Sequence, residues 1–430
     1  MRSNPICSGR RYRNHTAPCS VSRLPLRKCP PACYITIISL GRARTIERCS
    51  IRKREDKTNM ITAIKAWLVS SLLFGTLSLT TACGPFPSML ASAGVSSPAL
   101  LKQDILTALN ERQSSVQLRY TGKASSLKTD IKNTLEAAIR ADDYLHYIVK
   151  TYGYKATIRG NTATIDFSFT YWETLAQSNE VKANVARTLK RILLPGMSDH
   201  QKEKVIHDWI VTNLSYDTRL ISHSAYDGLM EGSTVCQGYA LLTYEMMRQA
   251  GIPVKIVEGT SRGQAHTWNL VQIGGKWYHI DTTWNDPVPD TAGKVYYNYY
   301  NLTDSQLRVD HKWKPSAEYP LAVSDYGKVL TALAAKGSDF YKKLYGQLGF
   351  VYLEDAYTVA DVDGLAKKIR AAVDAGEHEL VLRYTRGATV KSDLQKALNG
   401  QKGISGISYT YEDYTRSISN DKLIRIKLKY

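Results

Sequence analysis

The sequence predicts an α+β protein in which a central domain is flanked by two copies of a small αβαββ module. Three observations predict it. Residues 379–398, ELVLRYTRGATVKSDLQKAL, repeat the pattern of residues 115–135, SVQLRYTGKASSLKTDIKNTL, with one residue inserted. Both carry Leu-Arg-Tyr-Thr, at 118–121 and 382–385. Between the repeats, GSTVCQGYALLTYEMMRQAGIP sets Cys236 at the head of a helix-forming run. After it, HTWNLVQI (266–273) and KWYHIDTTW (276–284) read as strands around Gly274-Gly275, a two-residue hairpin turn.

The totals need dividing before they mean anything. The 430 residues carry a formal charge of +18, which alone suggests a polyanion partner. Residues 1–59 hold 14 Lys/Arg against 3 Asp/Glu, a net of +11, and leave only +7 for the other 371 residues. No nucleic-acid partner is expected on that balance. The same 59 residues hold five of the seven cysteines and no sustained periodicity. Cys29 and Cys33 have no second ligand pair at finger spacing. Residues 1–59 are expected not to be part of the mature protein, with a better start at Met60.

From Met60 a single Lys65 precedes an apolar run, Ala66–Leu79, and then small residues up to Cys83-Gly84. This is the layout of a secretory signal. Cleavage before a cysteine resembles a bacterial lipoprotein signal, with Cys83 lipidated. Thr80 stands where that pattern has an aliphatic residue, and Leu79 lies one place early. The alternatives are one uncleaved membrane anchor, since no charge occurs from Ala66 to Leu101, and an ordinary cleaved signal. All three put the rest of the chain outside the cytoplasm. The lipoprotein reading anchors it by lipid to the outer face of the cytoplasmic membrane. Cys236 is then the one unlipidated cysteine, and an unpaired thiol in an exported protein is a candidate reactive group.

Residues 84–97, GPFPSMLASAGVSS, read as a tether. The first module with a connecting helix is expected over 98–190, the central domain over 191–325, a connecting segment over 326–356 and the second module over 357–430. In the first, 98–112 is helical, 115–122 a strand and 126–140 helical, and 154–171 is two strands turning at Gly160-Asn161. The central domain opens on a capping box, Ser198 with Gln201. The cysteine helix is expected over about 237–250, stopped by Gly251 with Pro253 beyond.

A thiol at a helix N-terminus meets free amides and the positive end of the helix dipole, which favour the thiolate. The small Gly238 permits close approach to the sulfur. A nucleophile needs a base, and the base an orienting group. If Gly274-Gly275 is the turn, Ile273 pairs with Lys276 and His266 faces Thr283. Asp281 then shares a face with His266, one diagonal step of roughly 7–8 Å away. His279 shares that face too, and this arithmetic does not separate it from His266 as the base. His207, mid-helix, reads as local packing, and His223 has no visible orienter. Spacings of 30 and 15 residues from Cys236 to His266 to Asp281 match no metal-ligand motif, so no metal is expected.

The segments YDGLMEGSTVCQGYALLTYEMMRQAGIPVKIVEG, HTWNLVQIGGKWYHIDTTWNDP and YYNYYNLTDSQLRVDHKW resemble the transglutaminase-like superfamily. The branch is a bacterial extracytoplasmic one, related to cytokinesis-associated transglutaminase-like proteins, and the resemblance covers about 200–315. It implies a papain-like core, with the cysteine's helix packed on an antiparallel sheet that bears the histidine and the acid. It also implies Cys236 as nucleophile, His266 rather than His279 as base, and Asp281 as orienting acid. Thr267 stands where the family often has Ala. For the oxyanion the expectation is Tyr216 with the backbone amide of Cys236, Trp209 being the alternative. The activity implied is that of a Cys-His-Asp acyltransferase, protease or amidase on proteins or cell-wall peptides, without a cofactor. The competing expectation is a non-catalytic surface scaffold.

Overall fold

The computed structural model describes residues 36–37, 94–286, 288–289 and 294–430. Apart from Thr36–Ile37, a two-residue strand parallel to Thr151–Tyr152, the expected leader and anchor, Cys83 included, lie outside the described residues. Among the described residues no helix is long and apolar enough to cross a membrane.

The N-terminal part starts on helix Pro98–Asn110, whose first turn carries the proline and is capped by Ser97. Strand Ser115–Thr121 and helix Leu127–Ile139 follow. Strands Val149–Arg159 and Thr162–Tyr171 then turn at Gly160, φ +59. The last strand lies between the other two and is antiparallel to both. Its alternate residues Ala163, Ile165, Phe167 and Phe169 are buried, the period of two that the sequence shows. A short helix, Asp143–Ile148, was not foreseen. Its cap is Asp142, which accepts from Leu145 N–H at 2.8 Å.

The C-terminal part has the same connectivity. Helix Val362–Asp374, strand Glu379–Tyr384, helix Val390–Leu398 and strands Gly406–Asp413 and Lys422–Lys429 follow in order, with the last strand again central and antiparallel to its neighbours. The likeness extends to single bonds. Tyr120 donates to Asp130 at 3.3 Å and Tyr384 to Asp393 at 2.7 Å, both tyrosines being buried. Val95 bridges Tyr120 in parallel, as Val359 pairs with Tyr384. The end of the expected tether is therefore built into the first sheet.

Between them runs an antiparallel sheet in the order His311–Lys312, Val254–Ser261, Gln264–Ile273, Lys276–Ile280. Ile273 pairs with Lys276 across Gly274 and Gly275, both at positive φ, so the predicted register is the observed one. Helix Cys236–Gln249 packs on this sheet and is buried on all sides through Met247. A helix buried around its whole circumference needs neighbours on every face. Asn269 ties it to the sheet, donating to Ala240 O at 3.0 Å. Helix Asp199–Asn213 begins on the expected capping box of Ser198 and Gln201.

One apolar core runs from the N-terminal part through the central domain as far as Phe350, while the C-terminal part has its own. Arg416 fastens that part to the centre. Its buried guanidinium donates to the carbonyls of Leu348 at 2.9 Å, Tyr300 at 2.5 Å and Tyr297, and lies over Phe350. A charge taken out of water is tolerated there because its donors are met by carbonyls.

Glu203 is a fully buried acid of the central domain, with Asn301 Nδ2 donating to its Oε2 at 2.8 Å. Burial pushes this carboxyl up to about 8 from 4.5, against the hydrogen bond of Asn301. Between those values the folded chain holds a proton that the unfolded chain has released, so stability falls as pH rises. The slope is roughly 1.4 kcal/mol per pH unit for one proton. Glu203→Gln is expected to flatten that slope in denaturant melts between about pH 5 and about pH 7.5. Parallel curves for the two chains would contradict it.

Candidate active site

Cys236 is the first residue of its helix, after Val235 in an extended conformation and with no side chain capping the turn. The first-turn amides and the helix dipole are left to act on the thiol. The sulfur is buried and in no disulfide. The loop beneath is held by Asp217, whose carboxylate accepts from the backbone N–H of Arg219, Ile221 and Ser222 at 2.9–3.0 Å. Burial works against those bonds, which still bring the carboxyl down to about 2. Val235 N–H donates to Ser222 O at 2.9 Å, and Thr234 Oγ1 to Ser222 O and Ser224 O at 3.1 Å each. Gly238 closes this packing. A Cβ there would fall 1.9 Å from Thr234 Oγ1 and 2.6 Å from Ser224 O. The close approach expected at Gly238 thus involves the supporting loop.

His266 sits on strand Gln264–Ile273 opposite Gly259. Its Nε2 is 2.5 Å from Asp281 Oδ2, and its ring hydrogen-bonds Cys236. With Nε2 committed to the carboxylate, Nδ1 is the nitrogen left for the sulfur. Burial disfavours a charged ring, but Asp281 and Cys236 outweigh it and push His266 up to about 9. Burial likewise opposes ionisation of Asp281, and His266 and His311 overcome it, holding the carboxyl far below its usual range.

The route by which Asp281 reaches His266 differs from the expected one. The ladder ends at the pair Asn269–Ile280, and Thr282–Asn285 is a turn instead of the end of a strand running to 284. Asp281 makes that turn itself. Its Oδ1 accepts from Trp284 N–H at 3.1 Å and its carbonyl from Asn285 N–H at 3.2 Å. His266 therefore has no ladder partner at Thr283, yet it and the carboxylate meet at the strand's end.

The three other candidate histidines have contacts of their own. His279 pairs with Leu270 as expected, accepts at Nδ1 from Trp268 Nε1 at 3.0 Å and donates from Nε2 to Asp304 at 2.8 Å. His207 lies between Asp208 and Asn285. His223 stacks on Trp172 with centroids 4.1 Å apart. Tyr216 pairs with Thr234, two residues before Cys236, whereas Trp209 lies on helix Asp199–Asn213 against the main core.

Sequence reasoning missed His311. Its Nε2 is 3.1 Å from Asp281 Oδ2, the oxygen that His266 also uses. It lies within VDHKW, which contributes to the resemblance, but no spacing rule links it to Asp281. Among the described residues, His266, Asp281 and His311 are near enough to share a metal ion, their ligand atoms all within 4.8 Å. The two Nε2–Oδ2 distances are those of N–H donors on one carboxylate oxygen.

Residues 186–282, a stretch that holds Cys236, His266 and Asp281, match the family model of the transglutaminase-like superfamily. The kyphoscoliosis peptidase of Mus musculus is 26% identical over 163 residues, 33% of this chain and 25% of that protein. Its Homo sapiens counterpart is 25% identical over 162 residues, 33% of this chain and 24% of that protein. The chain spans about a quarter of the length of these curated relatives. A crystal structure of a TGase overlaps 41% of this chain and 54% of that chain, at 12% identity and a TM-score of 0.23, too loosely to bear on the fold.

The packing at Gly238 generates a prediction. Gly238→Ala is expected to cost about 2 kcal/mol or more in denaturant unfolding, and to slow alkylation of Cys236, because the helix start must move. A variant with wild-type stability and thiol reactivity would show that the loop yields freely.

Proposed function

We propose that this protein of the transglutaminase-like superfamily is a cysteine enzyme acting on amide bonds through a thioester. The observation that carries the reading is the buried set in which His266 bonds both Cys236 and, at 2.5 Å, Asp281. In the resting site the thiol proton resides on His266, giving a thiolate and an imidazolium above an ionised Asp281. The thiolate attacks the amide carbonyl carbon, and the carbonyl electron pair moves onto oxygen. The backbone N–H of Cys236 and the hydroxyl of Tyr216 are our assignment for the groups that receive that charge. The C–N bond then breaks, and His266 gives its proton to the departing amine. An amine or a water next attacks the thioester while His266 takes the nucleophile's proton. Cys236 leaves as thiolate, and the resting pair is restored. The amine route is a transglutaminase reaction and the water route that of a protease or amidase.

The substrate class we propose is a protein or cell-wall peptide at the outer cell surface, the enzyme being exported and anchored through a lipidated Cys83. The support is the signal-like segment before that residue. We read the two outer parts as copies of one module, on their shared strand order and their matching Tyr–Asp bonds. A module used twice suits binding, and this favours a second reading, a scaffold built on an inactive domain.

Iodoacetamide labelling of the full chain, followed at the Cys236 peptide by mass spectrometry across pH, separates the two. The enzyme reading expects an apparent thiol pKa well below about 8.5. His266→Ala is expected to raise it and to slow labelling near neutral pH by about tenfold or more. Equally slow labelling with an ordinary thiol pKa in both chains would sink the enzyme reading.

A further inference from the structure

His311 is fully buried and opens the short strand His311–Lys312 at the sheet edge. That strand comes close because position 259, opposite His266, has no side chain. A Cβ there would fall 2.2 Å from Lys312 O. The ring is held from both ends, with Nε2 3.1 Å from Asp281 Oδ2 and Nδ1 2.6 Å from Asp310 Oδ1. An ionised carboxylate only accepts, so both ring nitrogens must donate, and His311 carries two protons and a positive charge. Burial opposes that charge, and the two acids override it.

The contacts continue outward. Asp310 Oδ2 accepts from the Tyr299 hydroxyl at 2.5 Å and lies 3.6 Å from Arg262 Nε. Arg262 Nη2 reaches Asp413 Oδ2 at 3.3 Å, at the end of strand Gly406–Asp413 in the C-terminal part. Outward from the imidazolium of His266 the charges alternate: Asp281, His311, Asp310, Arg262, Asp413.

We propose that His311 is a positioning residue for the catalytic pair, holding Asp281 in place and balancing its charge so that His266 can both keep and release its proton. The inference rests on the cysteine-enzyme reading above. A base that must also act as an acid works best when neither state is locked in. Asp281 alone would bind the His266 proton tightly in this dry site. A second cation on the same oxygen, its ring centroid 5.4 Å from that of His266, weakens the hold. The other ionisable groups near the His311 ring are Asp310, Tyr299 and His279, with Arg262 beyond Asp310. Tyr299 stays neutral, burial pushing its hydroxyl well up, and burial also keeps His279 uncharged. The aromatic rings of Trp268 and Trp284 complete the surroundings.

The test is carboxymethylation of Cys236 in the full chain by iodoacetate across pH. The anionic reagent is drawn by the imidazolium, so its rate rises as the thiolate forms and falls as His266 loses its proton. His311→Gln and His311→Phe are each expected to move the falling limb to higher pH by about one unit, a tenfold change in that equilibrium. A packing role would lower the melting temperature and leave the limb where it is. Folded variants with the wild-type limb overturn the proposal, as does a wild-type profile altered by EDTA, which would make His311 a metal ligand. Should a variant fail to fold, nitrogen-15 histidine spectra of the wild-type chain decide, since the proposal expects His311 to be doubly protonated at neutral pH and a neutral ring refutes it. Failure of the parent reading has a different signature: His266→Ala leaves the wild-type profile unchanged.

Discussion

A single buried carboxylate, Asp281, is the constraint on which the centre of this molecule depends. An ionised acid shut away from water costs several kcal/mol unless it is met by donors and cations. Asp281 is met on every side: by His266 and His311 at one oxygen, and by the Trp284 amide at the other. Each partner belongs to a different piece of chain, so satisfying the carboxylate fixes the strand of His266, the edge strand of His311 and the turn at 282–285 relative to one another. The tryptophan-rich cluster around Trp268, Trp284, Tyr299 and Trp313 keeps water away and strengthens each of these contacts.

The cysteine is set into that frame from the other side. Its helix is buried all round and tied to the sheet through Asn269, so the sulfur is placed by the apolar core that runs into the N-terminal part. The C-terminal part, with a core of its own, is held by polar contacts: Arg416 on three carbonyls, and Arg262 between Asp310 and Asp413. The first contact is buried and geometric. The second is half-exposed, so the link between that part and the charge chain is screened by salt more than the chain's interior is.

What the sequence discloses about this arrangement is what can be read locally. The capping box at Ser198, the glycine turn at 274–275 and the helix start at Cys236 each need only neighbouring residues, and each is where the pattern puts it. The register of the hairpin follows from the turn, and with it the pairing of His279 with Leu270. Long-range contacts leave no such mark. That Asp281 leaves the ladder is decided by its own bonds to a later turn. That His311 shares its oxygen is decided by an edge strand thirty residues on, admitted by a missing side chain at Gly259. The total charge of +18 was the least informative number, because most of it lies in the first 59 residues.

The coupling of charges also sets how the centre responds to pH. The folded value of Asp281 is depressed, so its stabilising contribution is complete above the ordinary carboxyl value of 3.8 and is lost only as pH falls through the lower folded value. His266 is shifted the other way. Its contribution is complete below 6.5 and is lost as pH climbs toward about 9. Together they stabilise the fold most between these two ordinary values. In the mechanism we propose, deprotonating His266 at high pH removes a stabilising partner from Asp281 and the proton donor for the leaving amine in one step. On that reading, stability and chemistry in this site are lost together on the alkaline side.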